Sequence, residues 1–168
     1  MPHPISTLGV THTLISLAAA IAGLYSFARY RGIDAATLAG KMYLGGLVAS
    51  VLTSFGLSSS GGFNAGHALG ILALLSVSGA LLMSRMSSLS RARPYLTQLG
   101  FSFSFFLLWV PGIAETLTRL PLSHPLADGP QSHLIRSALA GWLAVFIVGA
   151  VSQLIWIRSQ RRDLGQRS

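Results

Sequence analysis

The chain has 168 residues, 51% of them apolar and only 10% charged, with a net charge of +8 and no cysteine. A water-soluble domain carries roughly 25% charged residues, so this chain cannot coat a water-facing surface of its size. The lack of cysteine excludes disulfides, iron–sulfur clusters and thiolate metal sites.

The mean hydropathy is +0.60. Together with the charge count it predicts an all-α, polytopic membrane bundle that forms one domain over residues 1–168 and lies in a lipid bilayer. The twelve Lys and Arg against four acids do not point to nucleic acid, because the positive residues sit in short segments between apolar runs. The N-terminal segment before Leu8 holds His3 but no Lys or Arg. A secretory signal begins with a positive region, so the first apolar run is expected to be a retained helix.

Five spans are expected, over about residues 8–29, 35–57, 63–84, 96–117 and 134–157, each near the ~20 residues that cross a ~30 Å hydrocarbon layer. The second carries Lys41 near one end, where a long side chain can snorkel to water. Ser58 to Gly62 reads as a flexible turn and Ser87 to Pro94 as a basic one. Leu120 to Ser132 is the longest connector and is irregular through Pro121, Pro125 and Pro130. Pro111-Gly112 gives the fourth span a place to kink.

Close helix contacts are expected at Ala19-x-x-x-Gly23, Gly66-x-x-x-Gly70 and Gly45-Gly46, since small residues let helices approach in lipid. The aromatics Phe101, Phe103, Phe105, Phe106 and Trp109 cover most faces of the fourth span. Tyr30, Tyr43, Tyr95 and Trp156 suit an interfacial belt.

Five spans put the two ends of the bundle in strong asymmetry. Arg119 and Arg136 fall on the side of the N-terminus. The other ten positive residues, from Arg29, Arg31 and Lys41 through Arg85, Arg91 and Arg93 to Arg158, Arg161, Arg162 and Arg167, fall on the opposite side. The positive-inside rule then predicts an N-out, C-in orientation; for a bacterial chain this means the inner membrane.

All five histidines (His3, His12, His67, His124 and His133) map to the outer side, with Glu115 and Asp128. His12, His67 and Glu115 lie about one turn inside their spans. Ionisable groups in a bilayer are costly and usually face the bundle interior. Ser16, Ala19 and Gly23 continue the His12 face, and Gly70, Leu74 and Ser78 continue that of His67.

Two imidazoles and a carboxylate at one depth allow three chemistries. They can hold a divalent metal, ligate a b-type haem through His12 and His67, or bind and deprotonate a quinol. Arg119 and His133 would support such a pocket. Against these stands a purely structural arrangement in which the groups satisfy one another and the loops. Glu115 and Arg119, four residues apart, can simply pair, and Asn64 can cap a helix. Two functions follow as expectations. One is a haem or metal pocket for redox chemistry or electron transfer; the other is a non-enzymatic accessory or scaffold subunit of another membrane protein, or a carrier of a small lipid-soluble molecule. Toward the basic side only Gln98, Ser102 and Gln153 offer polar chemistry.

Several segments carry a likeness: His12 in the first span, Gly32 and Gly40 around the first loop, Ala39 to Leu44, Phe63 to Gly70, and Pro111 to Arg119. Through them the chain resembles a bacterial family of small multi-pass membrane proteins, an uncharacterised domain family of unknown function. Related members often carry a histidine between the two loop glycines, where this chain has Ala35-Ala36-Thr37-Leu38. The resemblance implies the topology, and no activity.

Overall fold

The computed structural model describes residues 6–57, 62–121 and 123–165, without the side chains of Leu89 and of residues 163–165. His3, most of the turn expected at 58–62, and Arg167 lie outside them. The described residues form five long helices: α1 (Thr7–Tyr30), α2 (Leu38–Phe55), α3 (Ala65–Arg85), α4 (Arg93–Arg119) and α5 (His133–Gly165). A single 3-10 turn covers Ser87–Leu89 and no strand is present among these residues. All five are long and apolar enough to cross a membrane, so the protein is a multi-pass membrane helical bundle.

Local chemistry sets the boundaries. The Ser6 hydroxyl accepts from the Gly9 N–H at 3.1 Å and starts α1, and Arg31 ends it in the left-handed region with φ 62°. The second helix begins at Leu38, three residues later than its sequence suggests. Asp34 and Thr37 build a tight turn instead: the Ala36 N–H donates to Asp34 Oδ1 at 2.8 Å and the Thr37 hydroxyl to the Asp34 carbonyl at 2.8 Å. Thr37 Oγ1 then accepts from the Gly40 N–H at 3.0 Å as the cap of α2. Pro94 lies in the first turn of α4, where a missing N–H costs nothing, and α4 runs on through Pro111. The fifth helix continues past Ile157 to Gly165 and carries Arg158, Arg161 and Arg162 with it.

Two antiparallel hairpins make up the bundle. α1 packs along α2, and α3 along α4; α2–α3 and α1–α4 contacts join the pairs, while α5 leans on α4. The core lies where α1, α2, α3 and α4 meet. A Cβ at Gly23 would fall 2.5 Å from the Phe105 ring and 3.2 Å from Tyr43. Gly46 abuts Ala19 and Gly70 abuts Val51 in the same way. Gly45 faces open space and Gly66 meets only its own cap residue, so one glycine of each of those pairs is a packing residue. Ser78 is exposed; the buried line below His67 on α3 runs instead through Ala73, Val77 and Ala80.

Tyr43 does not belong to an interfacial belt. It is 0% exposed, packed 6.0 Å from Phe105 between ring centroids, and its hydroxyl is 2.8 Å from Ser104 Oγ. Ser104 itself donates to the Phe101 carbonyl at 2.8 Å, which makes Ser104 the acceptor from Tyr43. Tyr43→Phe leaves Ser104 partnered, so the expected loss is about 1 kcal/mol, that of one hydrogen bond; a chemical melt in detergent micelles measures it. The aromatics of α4 serve packing. Phe101 and Phe105 are buried, and Phe106 stacks on Trp142 of α5, whose indole N–H donates to the Phe106 carbonyl at 3.1 Å.

Candidate functional site

The N-terminal ends of α1, α3 and α5 and the C-terminal ends of α2 and α4 gather at one end of the bundle, and with them His12, His67, Glu115, Arg119 and His133. Both intramembrane histidines turn to the last turn of α2. From α1, His12 Nδ1 lies 2.9 Å from Thr53 Oγ1. One turn deeper, Ser16 Oγ donates to the His12 carbonyl at 2.7 Å and lies 2.6 Å from Ser50 Oγ. Ala19 against Gly46 then closes the seam. The small, weakly polar stripe below His12 thus lines the α1–α2 interface at Ser16 and Ala19 and turns to Phe105 of α4 at Gly23.

From α3, His67 reaches the neighbouring residue of α2. Its Nε2 donates to the Ser54 carbonyl at 3.0 Å; a carbonyl can only accept, so Nε2 carries the proton. The lone pair on Nδ1 accepts from the Asn64 N–H at 3.3 Å. Asn64 Oδ1 accepts in turn from the His67 N–H at 3.1 Å, which completes a reciprocal capping box at the start of α3. The ring is 3% exposed. It stacks on Phe55 with centroids 4.5 Å apart and planes 7° apart, and Phe63 lies against it at 5.8 Å.

The expected three-residue site is therefore not assembled. A metal or haem iron needs a free imidazole lone pair, and both nitrogens of His67 are already engaged, one as a donor and one as an acceptor. His67 does not fit haem or metal ligation without loss of its cap. Glu115 forms an ion pair with Arg119, four residues on, and both side chains are largely exposed. Its carboxylate does not join the two histidines as a ligand. Among the described residues no group of three or more His, Cys, Asp or Glu is placed to hold a metal ion. His133 is exposed at the first turn of α5, with Nδ1 3.4 Å from the Ser137 hydroxyl of its own helix. His124 is exposed in the connector. That connector folds back on α4: the Ala127 N–H donates to the Leu117 carbonyl at 3.0 Å and the Leu126 N–H to the Leu120 carbonyl at 3.2 Å.

The partners that the sequence does not single out are on α2. Ser50, Thr53 and Ser54 recur at helical spacing, which is the one signal that could have marked this face as the receiver of both histidines.

At the basic end the three polar residues also find structural work. Ser102 Oγ donates to Gln153 Oε1 at 2.7 Å, and Gln153 Nε2 donates to the Arg31 carbonyl at 2.8 Å. The guanidinium of Arg31 lies over the Trp156 ring at 5.8 Å. Gln98 packs on Gly32 so closely that a Cβ there would lie 1.8 Å from its Nε2.

No family model, curated protein or solved structure matches this chain.

Proposed function

We propose that the protein is a non-enzymatic membrane subunit, an accessory or scaffold helix bundle, whose outer-end histidines hold its helices together. The observation that carries this reading is His67: a buried imidazole with both nitrogens engaged and its ring stacked on Phe55. His12 has the matching role between α1 and α2. An oriented, inert bundle of this kind is placed in a bacterial inner membrane with its ten-residue positive side in the cytoplasm.

Two measurements test the reading. The protein purified from cells supplied with haem is expected to show no Soret band and no stoichiometric metal. One bound haem or metal per chain, lost in His67→Ala while the fold persists, overturns the proposal. For the orientation, the cysteine-free chain accepts single probes: Asp128→Cys is expected to react with an impermeant maleimide added outside intact cells, and Gln160→Cys only after lysis. The reverse pattern overturns N-out, C-in.

A further inference from the structure

A groove of about 420 Å³ opens on the side of the bundle between α3, α4 and α5, lined by Ser76, Leu96, Leu99, Gly100, Phe103 and Phe146. α3 and α4 approach closely at two of its lining residues, Ser76 and Gly100. Ser76 Oγ donates to the Gly100 carbonyl at 2.8 Å, and a Cβ on Gly100 would lie 2.9 Å from that of Ala80. Its walls are apolar.

The groove has a limited depth. On α4 its lining spans Leu96 to Phe103, about 10 Å at 1.5 Å per residue. That is within one leaflet of a ~30 Å hydrocarbon layer. A transmembrane helix of a second protein would need a channel through both leaflets. A groove confined to one leaflet fits an acyl chain.

At its upper edge stands positive charge. Arg93 precedes Gly100 by seven residues, two helical turns, so the two share one face of α4. Arg91 lies in the adjoining turn, which Arg161 of α5 secures. The Arg161 guanidinium donates to the carbonyls of Ser90 at 2.7 Å and Arg91 at 2.8 Å, and lies over Tyr95 at 5.8 Å. Arg91 and Arg93 are exposed, and among the described residues neither has a carboxylate partner; the ion pair found there is at the opposite end.

We propose that this groove is a binding site for one anionic phospholipid, with its acyl chain against Leu96, Leu99 and Phe103 and its phosphate at Arg91 and Arg93. The site goes beyond the accessory-subunit reading and is independent of it, since it uses the basic end alone.

The test is native mass spectrometry of the full chain released from micelles that contain phosphatidylglycerol or phosphatidylcholine with identical acyl chains. The wild type is expected to retain one phosphatidylglycerol, with a preference over phosphatidylcholine of about tenfold or more. Arg91→Gln with Arg93→Gln, both on exposed positions, is expected to bring that preference close to one. Leu99→Trp, which fills the groove from its wall, is expected to reduce retention of both lipids. Equal retention of the two lipids by the wild type overturns the site, as does a preference that survives in the arginine double variant. A polypeptide that co-purifies in place of lipid overturns it too.

Discussion

Replacing Gly40 by alanine is expected to be among the most damaging single changes in the chain, larger than the loss of most core methylenes. A Cβ at this position would lie 1.8 Å from the Asp34 carbonyl oxygen and 2.6 Å from its carbon. The obstacle is backbone, and a backbone carbonyl cannot swing aside as a side-chain tip can. Asp34 is itself held by the Thr37 N–H at 3.1 Å and the Thr37 hydroxyl at 2.8 Å. Relief of the clash therefore means opening the turn and giving up the cap of α2. Overpacking in a well-packed site costs about 1–3 kcal/mol and sometimes more, and loss of a threonine cap adds about 1 kcal/mol. The variant should fail to accumulate as a monodisperse species in detergent or melt well below the wild type. A melt within a degree of wild type would show that the turn is not rigid. Gly32→Ala is a graded comparison, because its obstacle is the Gln98 side chain.

His67→Ala is the second large effect. It removes the ring packed on Phe55 and Phe63 and two hydrogen bonds, those to the Ser54 carbonyl, which keeps the Leu57 N–H at 3.1 Å, and from the Asn64 N–H. Each lost hydrogen bond costs about 0.5–1.5 kcal/mol, and the vacated ring volume adds to that. A loss of about 3 kcal/mol is expected, read as the shift in a denaturant or thermal midpoint. His67→Phe separates the contributions. It restores the stacked ring without the hydrogen bonds and should recover part of the loss. Full recovery in His67→Phe would mean that packing alone accounts for the residue. His12→Ala is expected to be milder, about 1 kcal/mol, since that ring is partly exposed and its partner Thr53 keeps a second bond to the Ala49 carbonyl at 2.8 Å.

The bundle itself was legible because lipid exposure imposes long apolar runs that no soluble fold needs, and all five runs are helices. Their ends were legible only where a single residue decides them, as Asn64 does for α3. The start of α2 was hidden because Ala35 and Ala36 are apolar enough to continue a span, while the turn depends on one carboxylate and one hydroxyl, Asp34 and Thr37. Depth along the membrane also followed from the sequence: His12 and His67 do sit near the same end. Direction did not. A histidine one turn inside a span looks alike whether it faces a cofactor or a neighbouring helix. What decides is the partner, here Thr53 and the Ser54 carbonyl, and a backbone carbonyl leaves no mark in a sequence. The pairing of Glu115 with Arg119 follows from their spacing alone, and the structure has it.

The two-hairpin arrangement bears on how such a chain is made. The α1–α2 and α3–α4 interfaces join neighbours in the sequence, so each can form as soon as its second helix has entered the bilayer, with little loop entropy to overcome. α5 has no such twin. It is the least buried of the five, and its apolar contacts, Phe146 against Phe103 and Phe106 and Trp142 against Phe106, are made to a helix already in place. Gln153 then ties it to the Arg31 carbonyl, 122 residues earlier in the chain. That bond can close only once the last helix has docked, so it acts as a latch that reports completed assembly.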